Sequence, residues 1–323
     1  MALLLQNELT GAQGDRQRWF RRKTVHDDAS DRTLVSPLML KRPAGRLIYW
    51  LVFALLLVST LVALGPVYWV FSSALKSSLE IFQTPPTFWP QHPQWSNYSD
   101  AWNVLNFPLY FGNTLVLAGG AVILQVMVSA TAAYALSKLK PAGKGFIQFC
   151  FFSTLMVPPV AYLIPQFVNI SDLPLIHVSL INSWSGVWLP EAASAFNILV
   201  LKSFFDTIPE ELTDAARLDG ANAWQLFTRI ILPLSRPVLA VITIFTVVAS
   251  WKDFLWPLLV LGNTTLQPLS VAIYQQSGIN SNYPLPFIYL MAGLALACIP
   301  PIILFLLFQR QIMRGITLTG LKG

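Results

Sequence analysis

Charge is scarce in this chain, and so are the side chains that carry most chemistry. Of the 323 residues only 11% are Asp, Glu, Lys or Arg, with 3 His and 2 Cys, while 54% are hydrophobic and the mean hydropathy is +0.57. So few charges cannot coat a water-soluble globule of this length, which excludes an ordinary cytosolic enzyme and points to a chain solvated by lipid. Cys150 and Cys298 both lie in apolar runs, so neither a disulfide nor a reactive thiol is expected and both read as packing. His26, His92 and His177 stand far apart without a carboxylate or Cys at ligand spacing, so no metal site is expected. The only Gly-Lys pair, Gly143-Lys144, lacks the spacing and the following Ser or Thr of a phosphate loop, so the chain is not expected to bind ATP by that route. No serine sits in a nucleophile elbow and no acidic pair sits on a loop, so no catalytic residue is expected. The net charge of +6 forms no basic stripe with interleaved aromatics, which argues against nucleic acid as a partner.

What is present is long apolar sequence. Charge-free runs at 47–71, 113–137 and 146–169 each exceed the ~20 residues that cross a bilayer. Three more candidates follow at 180–201, which contains Pro190 and Glu191, at 237–261, which contains Lys252 and Asp253, and at 286–308. Six spans make an all-α membrane protein with both termini on one side. Lys and Arg number 9 in residues 1–46, 3 in 138–144, 4 in 202–236 and 3 in 309–323, and the intervening loops hold only Lys76. That alternation places both termini and the 202–236 loop in the cytoplasm. The division read from this is a cytoplasmic N-terminal tail 1–46, a transmembrane domain 47–308 and a C-terminal tail 309–323. The N-terminal tail has no short charged region leading into a cleavable apolar core, so no signal peptide is expected, and Arg21, Arg22 and Lys23 suit anionic headgroups.

Between the fourth and fifth runs lies a segment of a different kind. Thr207 and Glu210 have capping-box spacing and Pro209 falls at a first-turn position, so a helix is expected to start near Ile208. Glu210, Glu211 and Asp214 sit toward its positive end, and Gly220 is the residue type that closes such a helix in the left-handed conformation. Asn222 with Gln225 offers a second cap, after which Ala223, Leu226, Phe227, Ile230 and Ile231 recur at helical spacing up to Pro233. A bent, doubly capped helical pair at 208–232, anchored by membrane spans on both sides, is suited to being gripped by another protein.

That segment resembles the EAA loop of ABC importer permeases, in Asp214-Ala215-Ala216, then Asp219-Gly220-Ala221, then Phe227, Ile230, Leu232, Pro233 and Pro237. Asp214 stands where that family usually has Glu. Further likeness to the carbohydrate-uptake branch, the maltose importer's permeases among them, lies in Phe88-Trp89-Pro90, Asn97-Tyr98, Asn113-Thr114-Leu115, Ala133-Tyr134-Ala135-Leu136-Ser137, Trp256-Pro257-Leu258 and the chain's end. The resemblance implies a type I ABC importer permease fold in the cytoplasmic membrane with a cytoplasmic coupling-helix hairpin. It implies a second permease subunit, two ATPase subunits that bind the ATP and Mg, and an external solute-binding protein. Glu211, Asp214, Ala215, Ala216, Asp219, Gly220, Ala221, Phe227 and Pro233 are the implied ATPase-coupling residues, and Thr319, Gly320, Leu321, Lys322 and Gly323 the implied tail at the ATPase interface.

Glu191, Lys252 and Asp253 are the intramembrane charges and the candidates for a translocation path, since such groups face a bundle interior or a wet cavity. The family pattern Trp-Asn-Asp-Phe reads Trp251-Lys252-Asp253-Phe254 here. Were Lys252 to face the cavity, it would favour a hydroxyl-rich or anionic solute. Were it to snorkel outward, it would be bland. Pro158-Pro159, Pro165, Pro190 and Pro300-Pro301 interrupt spans, as helices along a path do. The expected function is import of a sugar or oligosaccharide. The alternatives are a non-sugar solute such as glycerol phosphate or polyamine, a proton-coupled secondary transporter relaying through Glu191 or Asp253, or a membrane-embedded enzyme. No inverted repeat supports the second of these.

Overall fold

A computed structural model describes residues 43–174, 176–277 and 285–319, with side chains as far as 309. The described residues form helices joined by turns, with no strand among them. The chain divides into two compact units, Met1–Pro66 and Val67–Gly323. The described part of the first is the N-terminal stretch of α1 (Pro43–Ala74), whose Leu and Val side chains stand exposed along nearly its whole length. An apolar helix without a packed face is stable only in lipid or against another apolar surface.

The second unit is organised on α3 (Phe107–Tyr134), which a wide π-helical turn, Ala135–Leu139, continues. Against it pack α7 (Ala195–Asp206) and α10 (Arg236–Lys252), with α6 (Trp184–Glu191) alongside. Gly120 of α3 permits the approach of α6, because a Cβ there would lie 2.1 Å from the Trp188 indole. At the other end of α3, Asn113 Nδ2 donates to the carbonyls of Thr265 and Gln267 at 2.8 and 2.9 Å, and Thr114 Oγ1 accepts from Leu269 N at 2.9 Å. These bonds tie down the entrance of α12 (Leu269–Gln276). The Asn-Thr pair noted in the sequence is thus a loop fastener. Ahead of α3, α2 (Ser96–Val104) packs Ala101 and the following Leu105 against Ala74 and against Ala292 and Ala295 of α13 (Phe287–Thr319). Asn97 Nδ2 caps the end of α1 by donating to the carbonyls of Ala74 and Lys76. The segment joining α1 to α3 is thus partly folded onto the bundle. Lys76 is 1% exposed, donates to Thr87 O and lies over the Trp69 ring.

By length and composition three described helices can cross a membrane, Pro43–Ala74, Phe107–Leu139 and Phe287–Gln309, or five if two bent pairs each count as one span. The third expected run is one of these pairs. α4 (Lys144–Met156) and α5 (Pro159–Ser171) meet at 106° across Val157-Pro158, each 13 residues or roughly 20 Å long. The other pair joins α9 (Ala223–Leu234) to α10 at 78°. The fourth expected run is broken at Ala192–Ser194 into α6 and α7, of 8 and 12 residues, neither long enough alone.

The prolines do not all act alike. Pro300-Pro301 leave α13 a single helix, contrary to the interruption expected, and Pro190 sits inside α6. A helical proline orphans the carbonyl four residues before it. For Pro301 that carbonyl is Ala297 O, and Trp251 Nε1 donates to it at 3.3 Å. For Pro190 it is Gly186 O, and Trp256 Nε1, on α11 (Leu255–Val260), donates to it at 3.2 Å. Two indoles on either side of the α10 terminus thus replace the missing backbone donors, which in hydrocarbon have no water to substitute for them. Trp256→Phe keeps an aromatic side chain but removes the indole N–H and strands a buried carbonyl, with an expected cost of about 1–3 kcal/mol. Thermal unfolding of the purified protein checks this. The loss should shrink in a Pro190→Ala background, where residue 190 supplies its own N–H.

Cys150 and Cys298 are free, and Cys150 is exposed on α4 and not packed as expected.

Candidate functional site

The 208–232 segment folds as a hairpin of α8 (Glu210–Leu218) and α9, the latter widened by a π-helical turn at Phe227–Ile231. Pro233 has no N–H to give the turn before it, and the widened turn accommodates that lack. Gly220 takes the left-handed conformation, φ +83°, and Ala221 N donates to Ala216 O at 2.9 Å, closing α8. Asn222 and Gln225 form a complete capping box, with both bonds at 2.9 Å. The first cap does not form as expected. Thr207 ends α7 in helical geometry, so its hydroxyl turns back to Phe204 O, while Pro209 stands at the N-cap of α8.

The hairpin has a tip and a root. At the tip, Glu211, Leu212, Asp214, Ala215, Asp219 and Gly220 are exposed, with Asp214 paired to Arg217 at 3.1 Å. Leu218 is 90% exposed and Trp224 66%. Ala216, Asp219, Gly220 and Ala221 line a cleft of about 340 Å³ in the elbow with Gln225 and Arg229. Exposed large apolar groups beside a polar cleft make a surface that gains by being covered. At the root, Phe227 and Ile231 are buried with Ala130, Ala133 and Tyr134 of α3, Leu201 and Phe205 of α7, and Ile242 of α10. Pro233 is exposed beyond that cluster.

Reading the segment alone misses what holds the root. Tyr134 packs against Phe227 with ring centroids 5.0 Å apart and planes tilted by 40°, and its hydroxyl donates to Ala223 O at 3.0 Å. Ser137 Oγ donates to Asp206 Oδ1 at 2.7 Å, Lys138 Nζ to Ile208 O at 2.8 Å, and Lys140 pairs with Glu210 at 2.6 Å. The Ala133–Ser137 likeness marked this place, but these contacts join residues some 70 to 90 positions apart, beyond any periodicity.

The hydrogen bond from Lys140 holds the Glu210 carboxyl below its ordinary range, and Glu210 raises Lys140 in return. The depressed acid stabilises the fold above its unfolded pKa and loses that as pH falls through the folded value. The raised base stabilises below its unfolded pKa and loses that as pH rises through the folded value. Both side chains are exposed, so the effect is small and salt-sensitive. Protection of the first-turn amides of α8, taken against the intrinsic exchange rate at each pH, is therefore expected to fall at both pH extremes and in high salt, and Lys140→Ala should abolish that fall.

Nearer the middle of the unit, α3, α7 and α10 meet through polar groups. Gln125 Oε1 accepts from Asn197 Nδ2 at 2.9 Å and from Thr246 Oγ1 at 3.0 Å, all three residues buried. These residues border a cavity of about 880 Å³, whose lining also includes Glu191 and Asp253. Lys252 is exposed and absent from that lining, so the three intramembrane charges are not one group. Of the C-terminal tail, Thr319 ends α13, and Gly320, Leu321, Lys322 and Gly323 lie outside the described residues. Among the described residues no cluster of His, Cys, Asp and Glu could hold a metal ion.

Comparison with known proteins fits this arrangement. A family model for the binding-protein-dependent transport system inner membrane component matches residues 125–318. The chain is 32% identical to the sn-glycerol-3-phosphate transport system permease protein UgpE of Yersinia pestis bv. Antiqua, over 81% of this chain and 93% of that one. It is 29% identical to the diacetylchitobiose uptake system permease protein NgcG of Streptomyces coelicolor, over 82% and 86%. Among solved structures, a chain of a bacterial ABC transporter involved in the import of the acidic polysaccharide alginate superposes with a TM-score of 0.74 at 26% identity, covering 83% of this chain and 98% of that one.

Proposed function

The chain belongs to the family of binding-protein-dependent transport system inner membrane components, and from that premise we propose that it is a sugar or oligosaccharide permease subunit driven through its hairpin. In this reading it pairs with a second permease and two ATPases, which bind ATP and Mg, and receives solute from an external binding protein. Both termini and the hairpin lie in the cytoplasm, consistent with the Lys and Arg distribution. Ala216, Asp219, Gly220 and Ala221 seat against an ATPase, with Glu211, Asp214, Ala215, Leu218 and Trp224 around them. The tail from Thr319 to Gly323 reaches the same partners.

The observation that carries the reading is the contrast between an exposed tip and a clamped root. The three helices that grip the root also border the cavity: Tyr134 and Gln125 are on α3, Phe205 and Asn197 on α7, Ile242 and Thr246 on α10. Nine helical steps of α3, from Gln125 to Tyr134, separate clamp from cavity, about 13 Å of stiff helix. ATP-driven closure of the ATPases pulls the tip, and the rigid root passes that displacement to the cavity walls. Reversing a 1:99 population takes about 5.5 kcal/mol of differential binding, so the tip must be held firmly in both states.

The test places a cysteine at Leu218 in a chain with Cys150 and Cys298 replaced. In inside-out vesicles it is expected to crosslink to a co-purifying ATPase. Labelling of that cysteine from outside intact cells would falsify the assignment. Uptake that collapses with the proton gradient and ignores ATP would favour a proton-coupled transporter.

A further inference from the structure

The cavity bordered by α3, α7 and α10 has a one-sided charge. Glu191, at the end of α6, and Asp253, at the break after α10, both line it, and no Lys or Arg does. Neither acid has an ion-pair partner among the described residues, and Lys252, the nearest cation in sequence, is exposed and outside the lining. The same lining carries a fixed neutral donor. Gln125 is 8% exposed, its Oε1 is occupied by Asn197 and Thr246, and its Nε2 has no partner among the described residues. An amide pinned at its oxygen and unpaired at its nitrogen, on the lining of a cavity, leaves a donor for whatever occupies that cavity. Carboxylates accept hydrogen bonds and repel anions, whereas the amide donates to a neutral oxygen.

We propose that this subunit's wall of the transport path excludes anions and takes a neutral, hydroxyl-rich solute, with Glu191 and Asp253 accepting from hydroxyls and Gln125 Nε2 donating to an ether or hydroxyl oxygen. The proposal rests on the permease reading. It separates this chain from relatives whose names carry an anionic solute, and it removes the support that a cavity-facing Lys252 would have lent to one.

The experiment uses the full complex, co-expressed with its partners and reconstituted in liposomes, with Cys150 and Cys298 replaced and one cysteine at Ala249, which lines the cavity. Its reaction rates with a trimethylammonium methanethiosulfonate and a sulfonate methanethiosulfonate are compared with those of a free thiol. The cationic reagent is expected to gain about tenfold or more over the free-thiol ratio, in keeping with two uncompensated carboxylates in a cavity of reduced dielectric. Glu191→Gln with Asp253→Asn is expected to return that ratio to the free-thiol value. A ratio at or below the free thiol's, one unmoved by the double substitution, or no reaction at all overturns the proposal. A second arm follows ATP-driven uptake of maltotetraose and of tetragalacturonate in the unsubstituted complex. Preference for maltotetraose supports the proposal. Preference for the uronate overturns it and leaves the permease reading standing, whereas a cationic preference in a chain that never co-purifies with an ATPase overturns the permease reading alone.

Discussion

Gly220→Pro is expected to leave the chain in the membrane at normal abundance and to reduce ATP-driven uptake by about a hundredfold or more. At φ +83° this residue sits where a proline ring, fixed near −65°, cannot follow, and its N–H donates to Arg217 O at 3.0 Å, a bond proline cannot make. Forcing proline into such a position costs about 3 kcal/mol or more, and each 1.4 kcal/mol is tenfold in the population of the docking geometry. The bundle should not feel it, because Gly220 is exposed and a Cβ there meets nothing within 4 Å. Gly220→Asn, which tolerates the left-handed region, is the control and should retain most uptake. Uptake measured beside membrane abundance and ATPase co-purification checks both variants. Normal transport by the proline variant would count against the hairpin as the coupling element.

Phe227→Ala is expected to release the root, at a cost of about 3–5 kcal/mol for truncating a buried aromatic. Phe227 is buried against Tyr134 at 5.0 Å and against Phe205, Ile208 and Ile231. That loss exceeds what truncating a side chain at the exposed tip should cost, since side chains there have little intramolecular contact to forfeit. Tyr134→Phe removes only the hydroxyl bond to Ala223 O, about 0.5–1.5 kcal/mol. Because the two rings touch, the double variant should be non-additive. Amide exchange is the measurement: protection should fall across α8 and α9 while α3 above Gln125 keeps its own. Unchanged exchange in the hairpin would show that the clamp is not what holds it.

Much of the hairpin was legible because its signals are local. Gly220 in a left-handed turn, the Asn222–Gln225 box and the acidic first turn each follow from a few neighbouring residues. Thr207 shows where that reasoning fails. Its spacing to Glu210 was right, yet the preceding helix runs through it and turns its hydroxyl inward. The prolines divide in the same manner. Pro158-Pro159 bend their helices by 106°, as a proline pair should, whereas Pro300-Pro301 do not interrupt α13, since an indole 46 positions from Ala297 supplies a missing donor.

The amino-acid sequence by itself determined that the chain lives in lipid, which loops carry the basic residues, and that one charged hairpin stands between two apolar runs. These are sums or neighbour effects along a few turns of chain. Tertiary structure alone decided that Glu191 and Asp253 share a cavity without Lys252, that Gln125 keeps one end of its amide free, and that Tyr134 clamps the hairpin. Those depend on which faces of distant helices meet, and hydropathy, which puts the helices into lipid, does not say which faces pair.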